Sequence, residues 1–570
     1  MLTRPEPTST QRPQGRGLLA ALAGIAAGAL TLGLAEVLAA VWTGWLGSAG
    51  TSSPLLAVGG AFVDRTPPWL KDWAIETFGT ADKLALGVGM AITLTVVCAL
   101  IGVLALRRRG PGIGAFAVVG LVGLAAVYSR PATGLLDLVP TALGVVVGGR
   151  VLLWLLDRVA GVRDGGPSSS HHPSAAPASG STRRSVLLLG GGLTGLGVLG
   201  VVAGQVLSTG GRAVQRTAEA LGLPTPTRTV SVPGGATSDI TGHTPYLVDN
   251  EDFYRIDTAL RVPRVDAAGW TLRVTGLVDQ EVEITYADLL AEEHVEALVT
   301  LTCVSNQVGG DLVGNARWLG WPVRELLARA GVQPEADMVL SRSTDGWTAG
   351  TPIEALTDDR DALLAVAMNG EPLPAEHGYP VRLVVPGLYG YVSATKWVTE
   401  LKVTRFDADE GYWTPRGWSA RGPIKTASRI DVPRSGGRLE PDADGAVVLA
   451  GVAWAQHRGI ERVEVQVDDG DWQEATLLEE PTVDAGGCGR MPGPRRPPAT
   501  TRCGCARPTP TDRRRPRRAP PRRRTARAAG TRSTSPSPDP RPGAADGCSR
   551  YAYCAVGASS VLGAGAGVCA

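Results

Sequence analysis

The hydrophobic positions of this chain fall into three regimes. Long, nearly uncharged apolar runs fill roughly the first 200 residues, short alternating runs fill the middle, and the last 80 or so carry no regular pattern. A helix crosses a bilayer core with about 20 apolar residues, and five runs approach or exceed that length: 18–45, 84–106, 113–128, 135–156 and 186–207. The third is short and glycine-rich, which leaves four spans open. Residues 1–210 therefore read as an α-helical membrane anchor of about five transmembrane helices, with a linker over 211–243. Further spans after the first argue against a cleaved leader.

From about 244 to 406, apolar strands alternate with amphipathic helices and Gly/Pro turns, the pattern of a mixed α+β domain. Residues 270–277 alternate as a strand, and 321–330 place Val323, Leu326, Leu327 and Ala330 at helical spacing. Residues 446–454 and 462–472 read as two further strands, the second containing an Asp469-Gly470 turn.

Charge sharpens the picture at both ends. Arg4, Arg12 and Arg16 precede the first span; Arg107, Arg108 and Arg109 follow the second; Arg158, Arg163, Arg183 and Arg184 lie between the fourth and fifth. Such residues near span ends tend to stay cytoplasmic, so five spans put the N-terminus inside and everything after Leu207 outside. The pair Arg183-Arg184 is first a topology signal, and it also resembles a twin-arginine export signal. Glu36 lies well inside the first run. An intramembrane carboxylate is a functional candidate, with helix packing near the outer end as its ordinary role. None of the six histidines lies in a span, so no haem is expected there, since haem between membrane helices needs axial ligands, usually histidine.

The net charge of +2 hides an asymmetry: from Ala485 onward there are 17 arginines, no lysine and 3 aspartates, against 39 basic and 51 acidic residues elsewhere. The body of the chain thus has no basic footprint for nucleic acid. Six of the eight cysteines also lie in the tail. Cys98 sits in an apolar run as a small hydrophobe, which leaves Cys303 as the one cysteine of the globular middle and argues against a disulfide framework there. Cys303 ends an apolar strand and opens a loop. A lone cysteine so placed is more often a buried structural thiol. Here Ser305, Asn306, Gly309, Gly310, Gly314 and Asn315 give a backbone able to turn sharply and aim N–H groups at an anion. No second Cys or His stands nearby to complete a zinc site.

The segment VTLTCVSNQVGGDLVGNARWLGWPVRELL around Cys303 resembles the molybdenum-ligating loop of the sulfite oxidase family of molybdopterin-dependent oxidoreductases, in its membrane-anchored bacterial type. A second block over 368–398, MNGEPLPAEHGYPVRLVVPGLYGYVSATKWV, is similar to that family's pterin-phosphate segment. The resemblance covers roughly 244–480. It implies a molybdopterin-binding catalytic domain over 244–425, a molybdenum-pyranopterin cofactor and Cys303 as the metal ligand. His377, Arg382 and Lys396 match positions that contact the pterin or its phosphate, with backbone contacts from Ser393, Ala394, Thr395 and Lys396. Ser343 and the NEDFYR segment, through Asn250, Phe253 and Tyr254, match further cofactor-contacting positions. A guanidinium can pair bidentately with phosphate oxygens and an ammonium adds a point charge.

The departures bear on the substrate. Where sulfite oxidases resemble CAGNRR around the ligand cysteine, this chain has CVSNQVGG, so one anion clamp is missing. Trp347 falls about where the family places an active-site tyrosine; Arg255 or Arg421 could replace the clamp. Cys303, Arg255 and Trp347 make the candidate catalytic set. The implied reaction is oxygen-atom transfer on a small substrate such as sulfite or a sulfoxide, with a separate electron-transfer protein or membrane carrier as partner. The alternative is a catalytically inactive membrane-bound scaffold or binding protein that retains the fold.

Beyond 406, the stretch DEGYWTPRGWSARGPIKTASRID could close over the cofactor with Arg421 or Lys425 at the substrate, interdomain packing being their ordinary role. Residues 426–484 resemble the start of the family's immunoglobulin-like dimerisation sandwich, truncated because such a fold needs about seven strands. A homodimer is expected only if that domain is intact. Residues 485–570 are expected to be a disordered Arg/Pro-rich tail, too poor in patterned apolar surface to order itself. Arginine without lysine is what an out-of-frame reading of a GC-rich gene produces, so we read a frameshift near 483–487. A basic nucleic-acid or lipid-binding arm is the competing reading.

Overall fold

The computed structural model describes residues 14–46, 51–67, 70, 73–74, 77–78, 81–131, 133–161, 182–208, 222–307, 309–434, 446–467, 470–495, 503–505 and 554–555. Most of the arginine-rich tail and of the 211–243 linker's first half lies outside them.

Among the described residues the N-terminal part has α1 (Gln14–Leu46), α2 (Pro54–Arg65), α3 (Asp82–Arg107), α4 (Arg109–Tyr128), α5 (Val139–Ala160) and α6 (Arg183–Ser208). Five stretches among the described residues are long and apolar enough to cross a membrane: Gly15–Thr43, Asp82–Arg107, Arg109–Tyr128, Leu135–Ala160 and Arg183–Leu207. The glycine-rich third run is a full 20-residue helix, because helical structure continues upstream to Arg109. Helix α1 is packed by small residues. A side chain on Gly24 would overlap the α3 backbone at Cys98, one on Gly33 the α6 backbone at Gly197, and one on Gly148 the Thr31 hydroxyl. Close backbone approach of this kind supplies the packing that apolar attraction cannot supply in lipid.

Glu36 takes its ordinary role. Its buried carboxylate accepts from Ser53 Oγ at 2.7 Å and from Leu55 N at 3.0 Å. These groups open α2, so a carboxylate from α1 caps the positive end of the neighbouring helix.

Ten strands carry the central domain: β1 (Thr271–Gly276), β2 (Val282–Thr285), β3 (Val295–Thr302), β4 (Val313–Pro322), β5 (Met338–Ser343), β6 (Thr348–Pro352), β7 (Leu363–Met368), β8 (Glu371–Pro372), β9 (Arg382–Val384) and β10 (Val398–Thr404). One sheet has the order β2-β1-β10-β5-β6, with β1 and β10 parallel. The other, antiparallel, runs β3-β4-β7-β8 with β9 also on β7. Helices α7 (Tyr286–Ala291) and α8 (Val323–Ala330) complete this α+β unit. The four apolar positions of α8 read from the sequence, Val323, Leu326, Leu327 and Ala330, are all fully buried. Gly331 ends the helix at φ +71° and returns its N–H to Leu327 O at 3.1 Å, the usual left-handed stop. Trp270, Trp318 and Trp321 join these residues in one apolar core with β1, β7 and β10.

The C-terminal part has β11 (Ala427–Val432), β12 (Ala446–Trp454), β13 (Glu464–Val467), β14 (Gln473–Glu474), β15 (Thr476–Leu477), β16 (Gly487–Arg495), β17 (Cys503–Cys505) and β18 (Cys554–Ala555). They form two antiparallel sheets, β11-β12-β16-β15 and β14-β13-β17-β18, which share an apolar cluster of Val447, Leu449, Val463 and Val465. Two expectations are corrected here. The strand read over 462–472 is shorter, Glu464–Val467. Regular structure also does not stop at 484, because β16 pairs with β12 as far as Arg495. The ladder of β12 requires partners for its N–H and C=O groups whatever side chains the partner carries.

Asp484 to Gly486 bind this unit to the catalytic domain. Thr300 N donates to Asp484 O at 3.0 Å, Gly486 N donates to Thr300 Oγ1 at 2.7 Å, and Asn315 Nδ2 donates to Gly486 O at 3.0 Å. Asn315, read from the sequence as part of an anion-binding loop, thus serves an interdomain contact.

Candidate functional site

Strand β3 ends one residue before Cys303, whose N–H donates to Leu312 O at 3.0 Å. That bond and the Asn306 side chain, which accepts from Leu312 N at 2.9 Å, close the loop into a compact turn. Gly309 sits at φ +79°, where a side chain would be strained. From the second domain, Arg429 donates to Gly310 O and so fixes the far side of the loop. Burial pushes the Cys303 thiol pKa up, with hydrogen bonds from Ser305 pulling the other way.

Tyr254 connects this loop to a buried cationic region. Its ring stacks on Phe253, with centroids 5.2 Å apart, and Phe253 meets Trp318 and His377 edge-on at 5.9 and 5.6 Å. Gly314 leaves room for the Phe253 ring, which a Cβ there would meet at 2.9 Å. The Tyr254 hydroxyl is within electrostatic reach of both Cys303 and Arg382. Burial and the nearby thiol raise its pKa, and Arg382 only partly opposes them. Tyr254 therefore remains a protonated donor.

Arg382, at the start of β9, is 3% exposed. Its polar partners are carbonyls, His377 O at 3.0 Å and Leu383 O at 3.4 Å, and its guanidinium lies 5.0 Å above the Trp318 ring. Among the described residues no carboxylate pairs with it. Burial brings its pKa down to about 10, with Tyr254 opposing. A buried cation without a counter-charge is costly, so this geometry favours an anionic ligand.

His377 Nε2 donates to Asn250 O at 2.9 Å. A carbonyl can only accept, so the ring hydrogen is on Nε2, and Nδ1, buried without a partner among the described residues, presents a lone pair. Burial lowers the pKa of His377 to about 4, the Asn250 bond opposing, so the ring is neutral near pH 7. Asn250 is itself held by Asn369, whose Nδ2 donates to Asn250 Oδ1 at 3.0 Å. Gly378, at φ +117°, keeps Arg382 and Lys396 together. A Cβ there would meet their Cβ atoms at 2.9 and 3.1 Å.

Lys396 Nζ donates to Glu376 O at 2.9 Å and to Asp257 Oδ2 at 3.1 Å. Burial lowers its pKa to about 8, against the pull of Asp257. Burial alone would raise Asp257, but Lys396, Arg255 and Lys83 outweigh it and hold the carboxyl well below the usual carboxylate range. Ser393 and Thr395 spend their hydroxyls internally, on the Leu388 and Tyr389 carbonyls and on Ser341, which fixes the 393–396 turn. Ala394 N donates to Gly390 O at 3.0 Å in the same turn. Ser343 N donates to Trp347 O at 2.9 Å across the β5–β6 turn.

The fold therefore brings Asn250, Phe253, Tyr254, His377, Arg382 and Lys396 into one connected cluster beside Cys303. Arg255 is tied instead to Asp257 Oδ2 at 2.9 Å, and Arg421 stacks 5.0 Å over Phe406. Among the described residues neither they nor Trp347 hydrogen-bond the Cys303 loop. Asp257, Trp318 and Arg429 were not singled out from sequence, since their importance comes from partners far along the chain.

A model of the oxidoreductase molybdopterin binding domain matches residues 259–413. The chain is 35% identical over 157 residues to the uncharacterized oxidoreductase YuiH of Bacillus subtilis (strain 168), covering 28% of this chain and 76% of that protein. It is 31% identical to mitochondrial sulfite oxidase of Mus musculus over 280 residues, 41% of this chain and 50% of the relative. The human enzyme gives 31% over 277 residues, 41% and 49%. The chain thus spans about half the length of these sulfite oxidases. Among solved structures, the sulfane dehydrogenase SoxCD from Paracoccus pantotrophus matches with a TM-score of 0.41 and 22% identity, covering 51% of this chain and 80% of that one. On the relatives' identity and coverage, joined to the family match over Cys303, His377, Arg382 and Lys396, the chain belongs to the sulfite oxidase family of molybdopterin-dependent oxidoreductases.

Proposed function

We propose that this chain is a membrane-anchored, molybdenum-dependent oxidoreductase that catalyses oxygen-atom transfer on a small substrate, such as sulfite or a sulfoxide, outside the cytoplasmic membrane. The observation that carries the reading is the buried guanidinium of Arg382, which has carbonyl partners and no carboxylate partner among the described residues and lies in the same cluster as Tyr254 and His377. These residues fit a molybdenum-pyranopterin. Cys303 would bind the metal, Arg382 and Lys396 the phosphate, and His377 Nδ1 would accept from a pterin N–H. The bound group supplies oxygen-atom transfer chemistry. The protein holds it, and the protonated Tyr254 hydroxyl can donate to an acceptor beside Cys303. Asn250, Phe253, Ser343 and the turn 393–396 shape the walls and set the orientation of His377.

The missing arginine clamp and the tryptophan at 347 favour a substrate less dependent than sulfite on cationic recognition. Electrons would pass to or from a separate protein or a membrane carrier, and no haem is expected in the chain. Arginine clusters on one side of five apolar helices support the outside location. Protease treatment of intact cells should then cut the catalytic domain and spare it only in inverted vesicles. Elemental mass spectrometry of the detergent-purified chain should find about one molybdenum per chain, with Cys303→Ala altering the content or the metal's spectrum. Absence of molybdenum in protein from a pterin-competent host would overturn the reading. Metal without turnover across sulfite and sulfoxide substrates would favour an inactive scaffold.

A further inference from the structure

Residues 257–261 run along the outer ends of the N-terminal helices, and four of these five positions engage them. Lys83 Nζ, in the first turn of α3, donates to Asp257 Oδ1 at 2.9 Å and to Ala259 O at 2.8 Å. The Leu260 side chain lies on Gly59 of α2, where a Cβ would meet it at 2.6 Å. Arg261 faces the Glu36 carboxylate of α1. Asp257 is thus a carboxylate, 6% exposed in its side chain, on which three cations converge. Lys83 takes one oxygen, while Arg255 and Lys396 share the other.

We propose that the anchor is part of the cofactor-phosphate site: Lys83 holds Asp257 in place, and Asp257 is the positioning residue that presents the Lys396 ammonium to the phosphate. The inference rests on the assignment of Lys396 to that phosphate. An ammonium has three donors, and Lys396 uses two, on Glu376 O and Asp257 Oδ2. Its direction is thereby fixed and its third donor remains for a ligand oxygen. Lys83 keeps the other oxygen of Asp257 turned to the anchor. Without Lys83 that oxygen is released, so both carboxylate oxygens can accept from the Lys396 ammonium and draw it away from the phosphate. The charges also add correctly. Lys83, Arg255 and Lys396 on Asp257, with Arg382 beyond, outnumber the nearby carboxyls Asp257 and Asp345 and leave an excess of positive charge suited to a phosphate dianion.

The test is the rate at which full-length chain in detergent loses its pterin, read as fluorescence of the oxidised pterin in successive filtrates. Asp257→Asn should speed the loss about tenfold, as is usual for residues behind a ligand-binding group. Lys83→Met should speed it about threefold, in keeping with a partly exposed ion pair, and Lys83→Arg should restore the original rate. The melting temperature of the emptied chain should be the same in Lys83→Met and Lys83→Arg, which separates positioning from general loosening. If Lys396→Met loses pterin quickly while Asp257→Asn and Lys83→Met do not, the anchor has no part in the site. If Lys396→Met also holds pterin normally, the phosphate assignment itself fails.

Discussion

His377 has one ring nitrogen bonded to a carbonyl and the other buried without a partner among the described residues, and its burial sets its state of charge. Its pKa is pushed down from the usual 6.5 to about 4, so the unfolded chain binds the proton more readily. The stability contributed by the neutral ring is complete above pH 6.5, is lost progressively as the pH falls from 6.5 to about 4, and levels off below. In denaturant titrations of the detergent-solubilised chain, His377→Gln should flatten that part of the stability profile. Equal slopes for variant and parent would show that the ring titrates as an exposed histidine does. Gly378 offers a steric test next door. Gly378→Ala places a methyl group against Arg382 and Lys396 at a positive φ, and should cost about 1–3 kcal/mol of stability. Pterin content should fall with it. At this scale, Cys303 stands out in the sequence through its loop, and His377, Arg382 and Lys396 through the resemblance of their segment to the family's; the structure gathers the last three together. Asp257 does not stand out: of the three cations that hold its pKa low, Lys396 and Lys83 are 139 and 174 residues away.

Helix α8 shows how far an element can be read directly. Its four apolar positions have helical spacing, its glycine stop is in the sequence, and all four side chains are buried against the sheets. Leu326→Ala should therefore destabilise the domain by about 2–5 kcal/mol, measured as a shift in denaturant midpoint. Glu325→Ala, on the exposed face, should change it by less than about 0.5 kcal/mol. The five long apolar helices among the described residues were equally legible from apolar length. Elements whose limits depend on a neighbouring strand were not. The β13 pattern alternates over more residues than its partners β14 and β17 can pair. Strand β16 has no pattern that would announce it, and it exists through backbone pairing with β12. Resequencing tests the frameshift reading: an alternating strand pattern in another frame beyond 487 would establish it, and none would leave the arginine-rich sequence as the true one.

The parts of the molecule meet through polar contacts and a small apolar cluster of Tyr246, Leu298 and Ala485. On one side, Asn315 and Thr300 clasp residues 484–486. On the other, Arg416 of the catalytic domain donates to Asp64 O of α2 at 3.1 Å. Asn315→Leu removes the donor to Gly486 and leaves a buried carbonyl unpaired, a cost of about 1–3 kcal/mol. Limited proteolysis should then cut near 484–486 faster than in the parent chain. An unchanged cutting rate would mean that Thr300, Gln456 and His457 hold the segment without Asn315. Arg429, which reaches from the second domain to Gly310 O, ties the Cys303 loop to the same side of the molecule.

The two carboxylate contacts of the anchor also differ in when they can form. Glu36 meets Ser53 across 17 residues, a closure available as soon as the first two helices have been synthesised. Lys83 must wait for Asp257, 174 positions further along the chain, and closing so long a loop is both slower and entropically dearer. The helices can thus assemble while the catalytic domain is still being made, and the joint between the two is sealed late. By the same reasoning it is among the first connections to open, which makes the seam at Asp257 the natural place for the finished domain to loosen from its base.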